Sequence, residues 1–309
     1  MPSVIFSNMH PRDFDAFCAL FNGIGWKVYV PSANEPNPFG YGATTMPTKG
    51  EYTAVTYVEF LDTKPDVVLC LCWEQLVGAM RMAQVSGSIL VVRAGNNAVP
   101  YNRQHSNFLL TNDTHTYERC DIPNKLFFML PPDYEFYSKQ AWQKTSRIVT
   151  SFIHFYSKYW KASWQKYSNI RSANADLAFI NFGVVDDGTY NPSLTSTEDI
   201  RRMLGVSRCL LHVKEKEGYG WSLLEAIACG IPVIAPKPYV VGKTCESFLI
   251  ENKTVVFLHK ETGEFRTAFD NVDHLYKISE VAPKFIREFI NAENQYSKVK
   301  KFFEEVVLA

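Results

Sequence analysis

Residues 217–234 read EGYGWSLLEAIACGIPVI, from Glu217 to Ile234. A carboxylate, two glycines around an aromatic, a helix-period run, a second carboxylate at Glu225 and a Gly-Ile-Pro turn follow one another, ending in a strand. With Cys209–Val213 as the strand in front and Lys214–Gly220 as the loop, the pattern predicts a helix over Trp221–Cys229, stopped by Gly230 and Pro232. The first amides of such a helix have no partner inside it and carry partial positive charge. Gly218, Tyr219 and Gly220 can therefore present N–H groups to an anion, and the glycines let it come close. Glu217 stands before the helix and Glu225 little more than one turn inside it, so the two acids can hold different parts of one elongated ligand. A carboxylate that accepts from two adjacent hydroxyls suits a ribose; a second one at the anion-binding end suits another sugar. The bland alternatives are solvated helix charges for the glutamates and a plain turn for Gly218 and Gly220.

Outward from this element, short β-rich runs alternate with helix-period segments, the pattern of βαβ units and a parallel sheet. In the first half Val4–Ser7, Lys27–Val30, Val67–Cys72, Ile89–Arg93, Phe108–Thr111 and Leu126–Leu130 read as strands, with helices at Asp13–Asn22 and Gln75–Val85. Ser32–Glu51, rich in Pro, Gly and Asn, reads as a surface loop. Two prolines at Pro131 and Pro132 interrupt the alternation, and a linker is expected at about Pro131–Thr145. A second series follows: strands at Arg147–Phe152, Leu177–Asn181, Cys209–Val213, Pro232–Ala235 and Val255–Leu258, and helices near Phe155–Ile170, Thr197–Leu204 and Lys243–Ile250. Helical segments at Phe269–Ile278 and Pro283–Val307 end the chain. The expected architecture is α/β, two Rossmann-like doubly wound parallel-sheet domains facing across a cleft. Residues 1–140 form the first domain, 141–282 the second, and 283–309 a terminal helix that packs back on the first.

Length and charge agree with a two-domain enzyme. At roughly 100–200 residues per domain, 309 residues make two domains. Lys plus Arg equals Asp plus Glu, so no excess charge draws the chain to a phosphate backbone, and nucleic acid is not an expected partner. No run approaches the ~18–20 apolar residues of a membrane span, and no leader precedes the fold, which points to the cytoplasm. Seven cysteines without a C-x-x-C pair read as reduced core thiols, not a zinc site. Asp13-Phe14-Asp15 spells a D-x-D but reads better as acid at a helix N-terminus, and Asp186-Asp187-Gly188 reads as a turn.

The run from Glu217 resembles the signature of GT-B glycosyltransferases, especially glycosyltransferase family 4, in which E-x7-E sits inside an EGFG…LEA.A.G.PVI sequence. Glu217 and Glu225 match the two acids, and Gly218-Tyr219-Gly220, Leu224-Glu225-Ala226, Gly230 and Pro232-Val233-Ile234 match the rest. Lys64-Pro65-Asp66-Val67-Val68 and Leu130-Pro131-Pro132-Asp133 are weaker echoes in the first domain, and the compact length is similar to the short members encoded by chloroviruses. The resemblance implies retaining, metal-independent transfer of a hexose from a nucleotide-sugar donor, GDP-mannose first and a UDP-sugar next, to a glycan or glycoprotein acceptor. It implies no cofactor and leaves oligomeric state open, a homodimer among the options. Glu217 would meet the donor sugar as the catalytic residue, the amides of Gly218, Tyr219, Gly220 and Trp221 the sugar and diphosphate, and Glu225 the ribose. Gly183 and Val184 would hold the base.

Two departures stand against the family pattern. The usual basic pair after the first strand of the second domain is missing, and His154, Lys158, Lys161 and Lys166 follow instead, of which Lys158 and Lys161 are the candidates for the diphosphate, with solvated helix charge as their plain reading. Where members place a histidine in the first domain, this chain has Val92-Arg93-Ala94-Gly95-Asn96-Asn97. Gly95, Asn96, Asn97 and His10 are the cleft candidates, with Arg93 able to face a phosphate and His105 and His115 as further histidines. These departures keep a second reading in play, a weak or inactive nucleotide-sugar binder. An NAD-linked dehydrogenase is disfavoured, because Ser7-Asn8-Met9-His10-Pro11-Arg12 stands where a G-x-G-x-x-G belongs.

Overall fold

Val67-Val68-Leu69-Cys70 is buried at every position, as a strand covered on both faces must be, and it lies at the centre of a seven-stranded sheet. The computed structural model describes residues 1–7, 11–32, 50–95, 101–152, 161–182, 197–215, 218–259 and 263–309. The first unit comprises Met1–Pro131 together with Ala292–Ala309, and the second Pro132–Asn291.

In the first unit the chain runs through β1 (Ser3–Phe6), α1 (Pro11–Gly23), β2 (Lys27–Pro31), β3 (Thr53–Val55), α2 (Tyr57–Thr63), β4 (Val67–Cys70), α3 (Leu76–Ser86), β5 (Ile89–Ala94), β6 (Phe108–Thr111), α4 (Thr114–Arg119) and β7 (Asn124–Phe127). The strands pair in parallel in the order β3-β2-β1-β4-β5-β6-β7, so the winding reverses between β1 and β4. The short elements β3, α2 and α4 are additions to the sequence expectation. A capping box opens α2: Thr56 Oγ1 accepts from the Glu59 amide at 3.2 Å while Glu59 Oε2 accepts from the Thr56 amide at 2.7 Å. Strand β7 starts two residues earlier than expected, because its pairing with β6 begins at Asn124 opposite Phe108, and Phe128 N donates the last bond of that ladder to the Thr111 carbonyl. Most of the predicted loop Ser32–Glu51 lies outside the described residues.

The second unit holds β8 (Ile148–Ser151), α5 (Lys161–Ala173), β9 (Ala178–Asn181), α6 (Thr197–Val206), β10 (Cys209–Leu211), α7 (Trp221–Ala228), β11 (Val233–Pro236), β12 (Val255–Leu258), α8 (Gly263–Asp270) and α9 (Val272–Phe289). Its five strands are parallel in the order β12-β11-β10-β8-β9, and the winding reverses between β8 and β10. The crevice beyond the carboxyl ends of such a strand pair is where open α/β sheets bind ligands. One face of this sheet is filled by Tyr167 and Ile170 of α5 and Phe265 and Phe269 of α8, all buried against Val149, Leu211 and Ile234.

The unit boundaries differ from the sequence expectation of 140/141 and 282/283 for physical reasons. Residues 132–147 carry no regular structure but are fastened to the second unit: Tyr134 Oη lies 3.0 Å from the carbonyl oxygens of both Ile286 and Ile290, which share its one proton, and Gln140 N donates to the Cys229 carbonyl at 3.0 Å. Pro283 does not begin a helix but sits inside α9. The Ser279 carbonyl that a proline cannot serve faces Gly230, whose φ of +77° and missing side chain admit the close approach. The terminal segment α10 (Ala292–Phe302) and its continuation Phe303–Val307 belong to the first unit. Phe303 meets Phe21 edge-on at 5.1 Å and Trp26 at 5.0 Å, and Gln295 Oε1 accepts from Met129 N at 2.9 Å. All seven cysteines are free, five of them buried.

Candidate functional site

The helix α7 carries the sequence signature, and its burial explains its placement. Leu223, Leu224, Ala226 and Ile227 are each fully buried, so this is an inner helix, apolar around its circumference. Glu225 is the one charged residue in it and is 2% exposed. A buried carboxylate needs hydrogen-bond donors, and one is Tyr137, whose Oη lies 3.1 Å from Glu225 Oε1. The carboxylate charge, second to burial itself, pushes the Cys229 thiol up to about 12.

Gly220 opens the helix with φ +82° and ψ +61°, a left-handed conformation natural to glycine. Its carbonyl accepts from Leu223 N at 3.0 Å and Leu224 N at 3.1 Å, while Gly220, without a side chain, offers no cap of its own to the first turn. The loop leading there is tied down from several directions. Ser163 Oγ accepts from Glu215 N at 3.0 Å, Lys243 Nζ donates to the carbonyls of Glu215 and Tyr239, and Cys245 N reaches the Gly218 carbonyl at 3.4 Å. Tyr219, 4% exposed, is held edge-on to Trp221 at 5.7 Å and to Phe248 at 6.4 Å. These bonds replace the helix expected over Lys243–Ile250 with a single tight turn, Thr244–Ser247, because the segment bends to serve the loop. The loop and the start of α7 follow β10, beside the reversal point of the second sheet.

Gly218, Tyr219, Gly220, Trp221 and Glu225 are thus brought together on one loop and helix. Glu217 lies outside the described residues, as do Lys158, Gly183, Val184, His10, Asn96, Asn97, His154 and the Asp186–Gly188 turn. Lys161 opens α5 with an exposed side chain. In the first unit Gly95 lies under the Arg93 guanidinium, which a Cβ at residue 95 would meet at 2.5 Å. Arg93 is 9% exposed at the carboxyl end of β5, its Nη2 3.8 Å from Asp13 and its guanidinium 5.8 Å from the Phe17 ring centroid. Asp13 accordingly sits in the first turn of α1, the role expected of it.

Sequence reasoning missed three residues here. Tyr137 fell in what read as a linker, Lys243 in what read as a helix, and His212, 3% exposed just past β10, was absorbed into the strand. Proximity to the signature was the available cue for His212; Tyr137 and Lys243 had none, since their partners are distant in sequence. Among the described residues no three His, Cys, Asp or Glu side chains are grouped to hold a metal, and no helix is long and apolar enough to cross a membrane.

Comparison with known proteins agrees with this geometry. Residues 192–257, which span α6 to β12, match the family model described as glycosyl transferases group 1. No curated protein matches the sequence. Among solved structures, HepE of Anabaena in complex with UDP and glucose is similar with a TM-score of 0.72 at 10% identity, covering 99% of this chain and 100% of that one. Sucrose-phosphate synthase of Thermosynechococcus elongatus gives 0.67 at 9% identity with 99% of each chain covered. A glycosyltransferase of Rickettsia africae gives 0.65 at 11% identity, again with 99% of each covered. The fold is the two-domain Rossmann-like GT-B fold. Together with the matched segment it supports a GT-B glycosyltransferase.

Proposed function

We propose that the chain transfers a hexose from a nucleotide-sugar donor to a glycan acceptor with retention of configuration and without a metal. The observation that carries this reading is the buried Glu225 on α7, one turn inside a helix whose first turn follows Gly218-Tyr219-Gly220. In this proposal Glu225 accepts from the ribose hydroxyls, and the amides at the start of α7 meet the diphosphate, whose charge grows as the sugar leaves. Glu217, from its position in the sequence, contacts the donor sugar. The acceptor hydroxyl attacks C1 from the face the diphosphate leaves, the C1–O bond to phosphate breaks, and the departing phosphate oxygen takes the hydroxyl proton. Lys158 and Lys161 are proposed to approach the leaving group and Gly183 and Val184 the base.

For the donor, GDP-mannose remains the first proposal on the sequence resemblance. UDP-glucose stands beside it, since HepE, of like fold, is in complex with UDP and glucose. Donor consumption with and without glycan acceptors tests the reading: turnover of either nucleotide sugar is expected. A second reading, a non-catalytic nucleotide-sugar binder, is favoured by the first unit, where Arg93 and Ala94 end β5 without a histidine. Saturable donor binding with no turnover across acceptors would select it.

A further inference from the structure

We infer that Tyr137 is a positioning residue for the donor ribose, acting through the Glu225 carboxylate. The inference rests on the proposed role of Glu225 and extends it to a residue outside the signature. Tyr137 is 5% exposed and Glu225 2%, and the phenol Oη lies 3.1 Å from Oε1 across 88 residues of sequence. A phenol can donate one hydrogen bond, and an ionised carboxylate only accepts, so the proton of this bond belongs to Tyr137. That bond occupies one lone pair of Oε1 and orients the carboxylate that the proposed function places on a pair of vicinal hydroxyls. Bonds to an ionised partner are also the strong ones.

The phenol is itself held still, as a positioning group must be. Phe136 N donates to Asp133 Oδ1 at 2.9 Å and Tyr137 N to the Asp133 carbonyl at 2.8 Å, closing a turn before the ring. Beyond it, Gln140 N bonds the Cys229 carbonyl at the far end of α7, and Gln140 Nε2 bonds the Arg201 carbonyl at 3.2 Å. Phe136 packs edge-on to the Tyr137 ring at 4.9 Å. The irregular segment is thus anchored on both sides of one residue, and that residue reaches the acid of α7.

A purely structural fastening would need the same bond, so the test must read the ribose. Calorimetry is run with GDP and UDP and with their 2′,3′-dideoxy counterparts, on the wild type and on Tyr137→Phe, which keeps the ring and loses one oxygen. For whichever nucleotide binds, Tyr137→Phe is expected to weaken it about tenfold, at the low end for a hydrogen bond to a charged group. The dideoxy form is expected to lose less than about twofold on the same substitution, because the hydroxyls that Tyr137 serves are gone. Equal losses for both forms, or none for either, overturn the inference while leaving the ribose role of Glu225 intact. Failure of both nucleotides to bind the wild type overturns the proposed function, and this inference with it. Tyr137→Met, which fills the slot without a hydroxyl, repeats the comparison if the Phe variant unfolds, with the same outcomes deciding.

Discussion

The carbonyl of Gly220 accepts the first helical hydrogen bond of α7, from Leu224 N at 3.1 Å, while Gly220 itself holds φ at +82°. A side chain at residue 220 would keep that bond only in a left-handed conformation that costs an L-residue roughly 1–2 kcal/mol. Gly220→Ala is therefore expected to destabilise the protein by about that amount in urea unfolding, and to weaken donor binding as the helix mouth shifts. Unchanged stability would show that the turn at Gly220 is not required.

Glu225→Ala removes a buried carboxylate that the proposed function places on the ribose. Nucleotide-sugar binding is expected to weaken by about 1.5–3 kcal/mol, the usual worth of a hydrogen bond to a charged group. Unchanged affinity by calorimetry would remove Glu225 from the donor site. Glu217→Gln is expected to lower turnover more than donor affinity, and intact turnover would end its catalytic assignment.

Phe303 is fully buried and meets the rings of Phe21 and Trp26, so the terminal segment completes the core of the first unit. Phe303→Ala is expected to cost about 3–5 kcal/mol of stability, combining lost transfer energy with the cavity left behind. A loss below about 1 kcal/mol would mean the neighbouring rings close the gap.

Burial pushes the thiols of Cys18, Cys70, Cys209 and Cys229 up to about 12 and that of Cys72 to about 11, from an ordinary 9.0. Above pH 9 the unfolded chain releases these protons while the folded chain keeps them, so the unfolded state binds fewer protons and stability falls as pH rises. The thiol contribution is complete below about pH 9 and lost progressively toward pH 12. The urea midpoint is expected to drop between pH 9 and 11; a midpoint that rises over that window would contradict this.

The long-period features were legible in the sequence. Consecutive apolar residues marked β4, β5 and β6, helical spacing marked α1 and α3, and the Gly-rich signature placed α7 between β10 and β11. Short elements were not: α2 is announced by the capping box of Thr56 and Glu59, but seven residues give too little periodicity to stand out. Pro283 read as a helix start because the close approach of Gly230 to the Ser279 carbonyl is a tertiary fact. The place of Glu225 on α7 could be read, whereas its partner could not, since Tyr137 reaches Glu225 through folding and not through spacing.

Titration of the wild type and of Glu225→Ala with GDP-mannose and UDP-glucose, followed by calorimetry, tests the central claim most directly. Saturable binding of at least one nucleotide sugar to the wild type, weakened at least tenfold in the variant, is the predicted result. Absence of binding to the wild type, or equal affinity in both proteins, would contradict a donor site built on α7.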